Sequence, residues 1–212
     1  MTQHEWTLDL VEDFEVPGWL FIPGGLDLGQ LDEWVLAATE EVAGKEGWDG
    51  NPISRTEADE LLRSALRDRD NTSSIATFQV WPPIGRVTAM CHIGVYRSLD
   101  MPKWVETDAI VHRFDAPYIG PGIQCTTQRV ISNAAGADID LAGIHFVFDD
   151  GEATLIVSLA ETFEPLTVYA LRGVLPLLRN LRLVRPGNGQ AFQSVMVEGV
   201  LEESPWQFEE SV

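Results

Sequence analysis

The chain has 212 residues, 14 Lys+Arg against 33 Asp+Glu, and a formal net charge of −19. Hydrophobic residues make up 45% of it, too many for a disordered chain. A chain of this length buries about 70% of its unfolded surface without needing a disulfide or metal. So acidic a balance argues against nucleic acid and anionic lipid as partners, since both need a basic surface.

Trp6 to Val11 alternates apolar and polar residues, the pattern of a half-buried strand, and Trp19 to Ile22 is a second short strand bounded by Pro-Gly turns. These two are expected to pair as a hairpin. Leu31, Trp34, Val35, Ala38 and Val42 follow helical spacing, with Asp32, Glu33, Glu40 and Glu41 on the other face and Gly44 as the stop. After a loop at Gly47 to Pro52, Ser54 and Glu57 form a capping box that opens a second helix to about Arg69. Strands are predicted at Ser74 to Trp81, Arg86 to Tyr96, Val105 to Phe114, Gly122 to Ser132, Ala142 to Phe148 and Glu152 to Ala160. In the second of these, Met90, His92, Gly94 and Tyr96 share one face, and Ala89, Cys91, Ile93 and Val95 the other. The segment from Asp115 to Pro121 reads as a connecting loop, and Asp149-Asp150-Gly151 is a hairpin turn. Glu164-Pro165 opens a last helix with Leu166, Tyr169 or Ala170, Gly173, Leu177 and Leu178 inward; Pro176 is expected to kink or end it. Leu181 to Leu183 and Phe192 to Leu201 are predicted as final strands.

Consecutive strands with hairpin connections imply an α+β fold, with an antiparallel sheet of about six to eight strands flanked by about three helices in an α-β-α sandwich. One domain over residues 1–201 and an acidic tail over 202–212 are expected. The charge is concentrated at the ends. Residues 1–50 carry twelve acids and one base, Lys45, and residues 198–212 five acids and no base, while 51–197 is nearly balanced at −3.

The N-terminal residues lack the basic start and apolar stretch of a secretory signal. The longest apolar run, Leu141 to Phe148, is broken by His145 and falls short of a membrane helix. Two cysteines, Cys91 and Cys125, make no disulfide framework. A cytoplasmic protein without membrane insertion is expected.

Signals for chemistry are sparse. No Gly-x-Ser-x-Gly elbow is present, and Cys91 and His92, as strand neighbours, point to opposite faces. The histidines, His4, His92, His112 and His145, show no metal-ligand spacing. Strands could bring His92, His112 and His145 to one face, and Asp108 could complete a facial metal set with His92 and His112; hydrogen-bonded sheet histidines are the preferred reading, and no metal or cofactor is expected. Gly187-Asn188-Gly189 is a turn and not a phosphate loop, because a strand pattern follows it where a phosphate needs a helix N-terminus. A ligand site, if there is one, would use the strand face around His92, His112 and Arg129.

The N-terminal strand pair with Gly18-Trp19, two acidic helices, the meander strands, and Ala153-Thr-Leu-Ile-Val-Ser-Leu leading to Glu164-Pro165 and an apolar helix resemble small actinobacterial proteins of the PsbP-like fold. The resemblance covers about residues 6–184 and rests on element order and apolar spacing. It implies an antiparallel sheet between helical layers and a binding or assembly role, and it brings no catalytic residues. The expected function is therefore a non-enzymatic cytoplasmic protein-binding or assembly factor, an accessory to a secretion or cell-envelope system. The alternatives are a small-molecule-binding domain or enzyme using His92, His112 and Arg129, and an immunity-type inhibitor of a basic partner. Self-association to a homodimer through an open sheet edge is a further expectation.

Overall fold

The computed structural model of the chain describes residues 6–11, 16–44, 52–82, 87–101, 109–132 and 136–195. Their elements run β1 (Thr7–Leu10), β2 (Trp19–Phe21), α1 (Leu28–Val42), α2 (Arg55–Asn71), β3 (Ser74–Val80), β4 (Ala89–Arg97), β5 (Ile110–Ala116), β6 (Gly120–Ser132), β7 (Asp138–Asp149), β8 (Ala153–Phe163), α3 (Glu164–Asn180) and β9 (Leu181–Val184). Seven strands form one antiparallel sheet in the order β2-β3-β4-β8-β7-β6-β5, and β1 and β9 form a separate pair. The α+β class and the antiparallel sheet are those expected from the order of the elements.

Strand alternation divides the sheet into two faces. The α3 face buries Ala76, Cys91, Ile93, Val157, Phe146 and Phe148 against Leu166, Ala170, Val174 and Leu177. Phe114 meets Phe146 edge-on at 4.7 Å, a geometry that adds to the area both rings bury. On the other face, α1 and α2 pack over the β2–β3–β4 side through Ile22, Leu20, Met90 and Trp81.

The helix starts follow from local chemistry. Ser54 and Glu57 make the reciprocal capping box expected of α2. A second box opens α1: Asp27 Oδ1 accepts from the backbone N–H of Gly29 and Gln30, and Gln30 Oε1 accepts from that of Asp27. Both boxes leave fewer first-turn donors without a partner.

Three expectations on chain path need correction, and of the two alternatives at Pro176 the helix end is excluded. β1 does not pair with β2. It pairs with β9, placing Leu8 opposite Leu183 and Leu10 opposite Leu181, while β2 pairs with β3. The apolar pattern identified both strands but carries no information on their partners; the buried Leu181 and Leu183 supply the apolar row that β1 covers. The segment from Asp115 to Pro121 is mostly strand, with Asp115 opposite Pro121 and Ala116 opposite Gly120 across a short turn. Gly120, at φ +105°, adopts the backbone geometry that favours glycine there. Pro176 neither ends α3 nor separates it into two helices, since the helix continues to Asn180. Its missing N–H removes one bond, while Leu177 and Leu178 beyond it remain fully buried, so burial holds the last turn. Finally, residues 192–195 are not a strand; Ala191 makes only an isolated bridge to Val184, and Phe192 packs edge-on against Trp6 at 5.5 Å. The rest of that predicted strand, the 202–212 tail and Asp108 lie outside the described residues.

Candidate functional site

Residues directly opposite one another in a sheet share a face. One continuous row across the sheet is therefore Thr77–His92–Ser158–His145–Cys125–Val111. The next row, on the opposite face, is Ala76–Ile93–Val157–Phe146–Gln124–His112. His92 and His112 are thus on opposite faces, and four strand spacings, about 19 Å, separate them. His112 is buried on the α3 side, beside Gln124.

Arg129 shares the face of His92 but not its location. It lies three strands away, about 14 Å across, and four residues, about 13 Å, along β6 from that row. Its guanidinium binds Glu161 at 2.6 Å. The register shift between β7 and β8 sets Gly143 against both Ala160 and Glu161, which brings Glu161 to the side of Arg129. A small depression of about 200 Å³ beside the pair is lined by Gln128, Val130, Asp140, Leu141 and Glu164. His92, His112 and Arg129 therefore do not form one site.

The structure instead brings together a different group on the His92 face. His145 Nδ1 is 2.7 Å from Ser158 Oγ, and His92 Nδ1 is 3.2 Å from Thr77 Oγ1. The two imidazoles flank Ser158 from the neighbouring strands. Burial lowers both pKa values below the ordinary 6.5; at His92, Asp68 opposes this and Arg69 adds to it. Neutral rings hydrogen-bonded to hydroxyls are the expected sheet histidines. Cys125, opposite His145, is fully buried, and burial pushes its thiol up to about 12. Cys91, on the other face, is also fully buried and pushed up to about 12. Neither thiol is a ready nucleophile. No group of three or more His, Cys, Asp or Glu side chains among the described residues is arranged to hold a metal ion.

The helical layer presents a second surface. Glu40 faces Arg55 and Asp32 faces Arg63, so α1 and α2 run antiparallel. Arg55 makes two 2.7 Å contacts to the two oxygens of Glu40. Arg63 lies 2.9 Å from Asp32 and 2.9 Å from Asp59; hydrogen bonds with Asp59 and then Asp32 raise its pKa. Between the helices, on the side away from the sheet, runs an open groove of about 680 Å³. Beside these ion pairs it is lined by Leu36, Thr39 and Glu60. Leu28 and Leu36 are 83% and 63% exposed. The acids of α1 were legible in the sequence; the groove was not, because it depends on how two helices lie side by side.

No family model, curated protein or solved structure matches the chain. No helix among the described residues is long and apolar enough to cross a membrane.

Proposed function

We propose that this chain is a non-enzymatic, cytoplasmic protein-binding or assembly factor that meets a basic partner through its α1–α2 layer. The observation that carries this reading is the outward side of α1. The helix holds Asp32, Glu33, Glu40 and Glu41 and no base, and the same helix exposes Leu28 and Leu36. Acidic groups steer a basic partner and set its orientation, while exposed leucines supply apolar area to bury on contact. The resemblance to PsbP-like proteins points the same way, toward binding or assembly, and a basic toxin met by an immunity-type inhibitor is one form such a partner could take. The test is affinity capture with the full chain at low and high salt, with crosslinks mapped onto the captured partner. Capture lost at high salt and in Glu33→Lys/Glu41→Lys supports the reading. Capture indifferent to both, or turnover of a metabolite by the purified chain, overturns it.

A second reading, a small-molecule site on the strand face, is favoured by the 2.7 Å contact between His145 and Ser158 with His92 alongside. It draws on His92, Ser158 and His145, with His112 and Arg129 set apart from it. Ligand binding abolished by Ser158→Ala would support it, and binding unchanged in that variant would count against it.

A further inference from the structure

We propose that the α1–α2 groove seats a basic amphipathic helix of a partner protein, an inference that rests on the reading above and makes it specific. The sheet-facing sides of both helices are already used, burying Val35, Ala38 and Val42 of α1 and Ala58, Leu62, Ala65 and Leu66 of α2. Their outward sides leave the groove between two antiparallel ridges. α1 has 15 residues and α2 has 17, so each ridge is about 22–26 Å long, four turns or more. Two such ridges can receive the side-chain row of a third helix at an axial distance of about 8–10 Å.

The lining selects what can lie there. Leu36 stands one turn from the Asp32–Arg63–Asp59 cluster and one turn from the Glu40–Arg55 pair, so an apolar contact is flanked by charge on both sides. Four acids and two arginines line the groove, for a net charge of −2, and both arginines are held by carboxylates. Glu33 and Glu41 add to the acidity of α1. An occupant with lysines or arginines around an apolar row matches this pattern. A second copy of this chain does not, because each copy carries −19.

Thr39 supplies an independent observation. It lines the groove at only 6% exposure, and its hydroxyl is buried without a hydrogen-bond partner. A buried hydroxyl in that state is costly, and a turn about χ1 toward the groove would let a polar group of a docked segment relieve the cost.

The experiment uses the full chain and a fluorescein-labelled Lys/Leu peptide of about four helical turns, amphipathic as a helix. A peptide of the same composition, scrambled to remove the apolar face, is the comparison. Binding is read by fluorescence anisotropy, and folding of each variant by far-ultraviolet circular dichroism. The amphipathic peptide is expected to bind more tightly than the scrambled one. Leu36→Asp is expected to weaken it about tenfold or more, by loss of a central apolar contact. Val130→Asp adds the same charge at a residue 62% exposed on β6, away from the groove, and should leave the affinity unchanged. Leu36→Asp adds a negative charge, so attraction by charge alone would hold the affinity level or tighten it. That result, or equal weakening by Val130→Asp, overturns the groove as the seat while leaving the acidic-layer reading intact. Failure of both peptides to bind the wild-type chain overturns both.

Discussion

Gly173→Ala should destabilise this protein even though it replaces the poorer helix former. Gly173 lies within α3 and is buried against the indole of Trp19 on β2. A Cβ placed there would stand 2.3 Å from Trp19 Nε1, 2.4 Å from Cε2 and 2.7 Å from Cζ2. Those three atoms belong to one rigid bicyclic ring, so rotating a flexible chain end cannot clear them. Phe78 packs against the same ring at 5.7 Å between centroids, which restricts its retreat. Alanine gains about 1 kcal/mol in helix propensity, whereas overpacking of this kind costs about 1–3 kcal/mol. With three ring atoms inside contact distance the upper half of that cost applies, leaving a net loss of about 1–2 kcal/mol. Urea unfolding followed by circular dichroism and Trp fluorescence measures it. The same substitution in a Trp19→Leu background, where the ring is gone, should be neutral or stabilising by up to about 1 kcal/mol. A Gly173→Ala protein as stable as wild type, with Trp19 intact, would refute the reasoning.

Three further outcomes are expected. His92 and His145 have pKa values lowered by burial in the folded chain, so the unfolded chain binds more protons below about 6.5; their stabilising contribution is complete above that pH and is lost as pH falls toward the folded values. Each histidine adds at most about 1.4 kcal/mol per pH unit to the slope, and His145→Gln should flatten the stability–pH curve over this window; an unchanged slope would contradict the assignment. Cys91 and Cys125 should resist Ellman's reagent in the native protein and react fully in denaturant, as both are buried with thiols pushed up to about 12; rapid native labelling of either would show that its burial is wrongly placed. Asp27→Ala removes the acceptor of two first-turn N–H groups and should lower stability by about 1 kcal/mol, measured by thermal or urea unfolding, while Asp27→Ser should recover most of it.

Little of the site could be read locally, though some of the rest was within reach. The alternation in β4 separated Cys91 from His92 correctly, because successive side chains of a strand point to opposite faces whatever its partner. The Asp149-Asp150-Gly151 turn also fixes the β7–β8 register: Asp149 faces Thr154, and counting outward sets His145 opposite Ser158. Hairpin counting could thus have found the His145–Ser158 pair. No such count reaches His92, since β4 and β8 are joined by a long path through three other strands. The separation of His92, His112 and Arg129 likewise depended on the strand order, which puts β8, β7 and β6 between β4 and β5.

By itself the sequence determined the features that near neighbours along the chain dictate. Capping hydrogen bonds, apolar periodicity and turn residues act over a few positions, so the helices, most strands and the acidity of α1 were legible. Which strand lies beside which, and which faces become surface, was decided only by tertiary packing. β1 joins β9 across most of the chain because Leu181 and Leu183 offer it an apolar row, and the α1–α2 groove exists only once both helices have spent their apolar sides on the sheet. Burial depends on area and not on sequence distance, and so residues far apart in the chain come to form one surface.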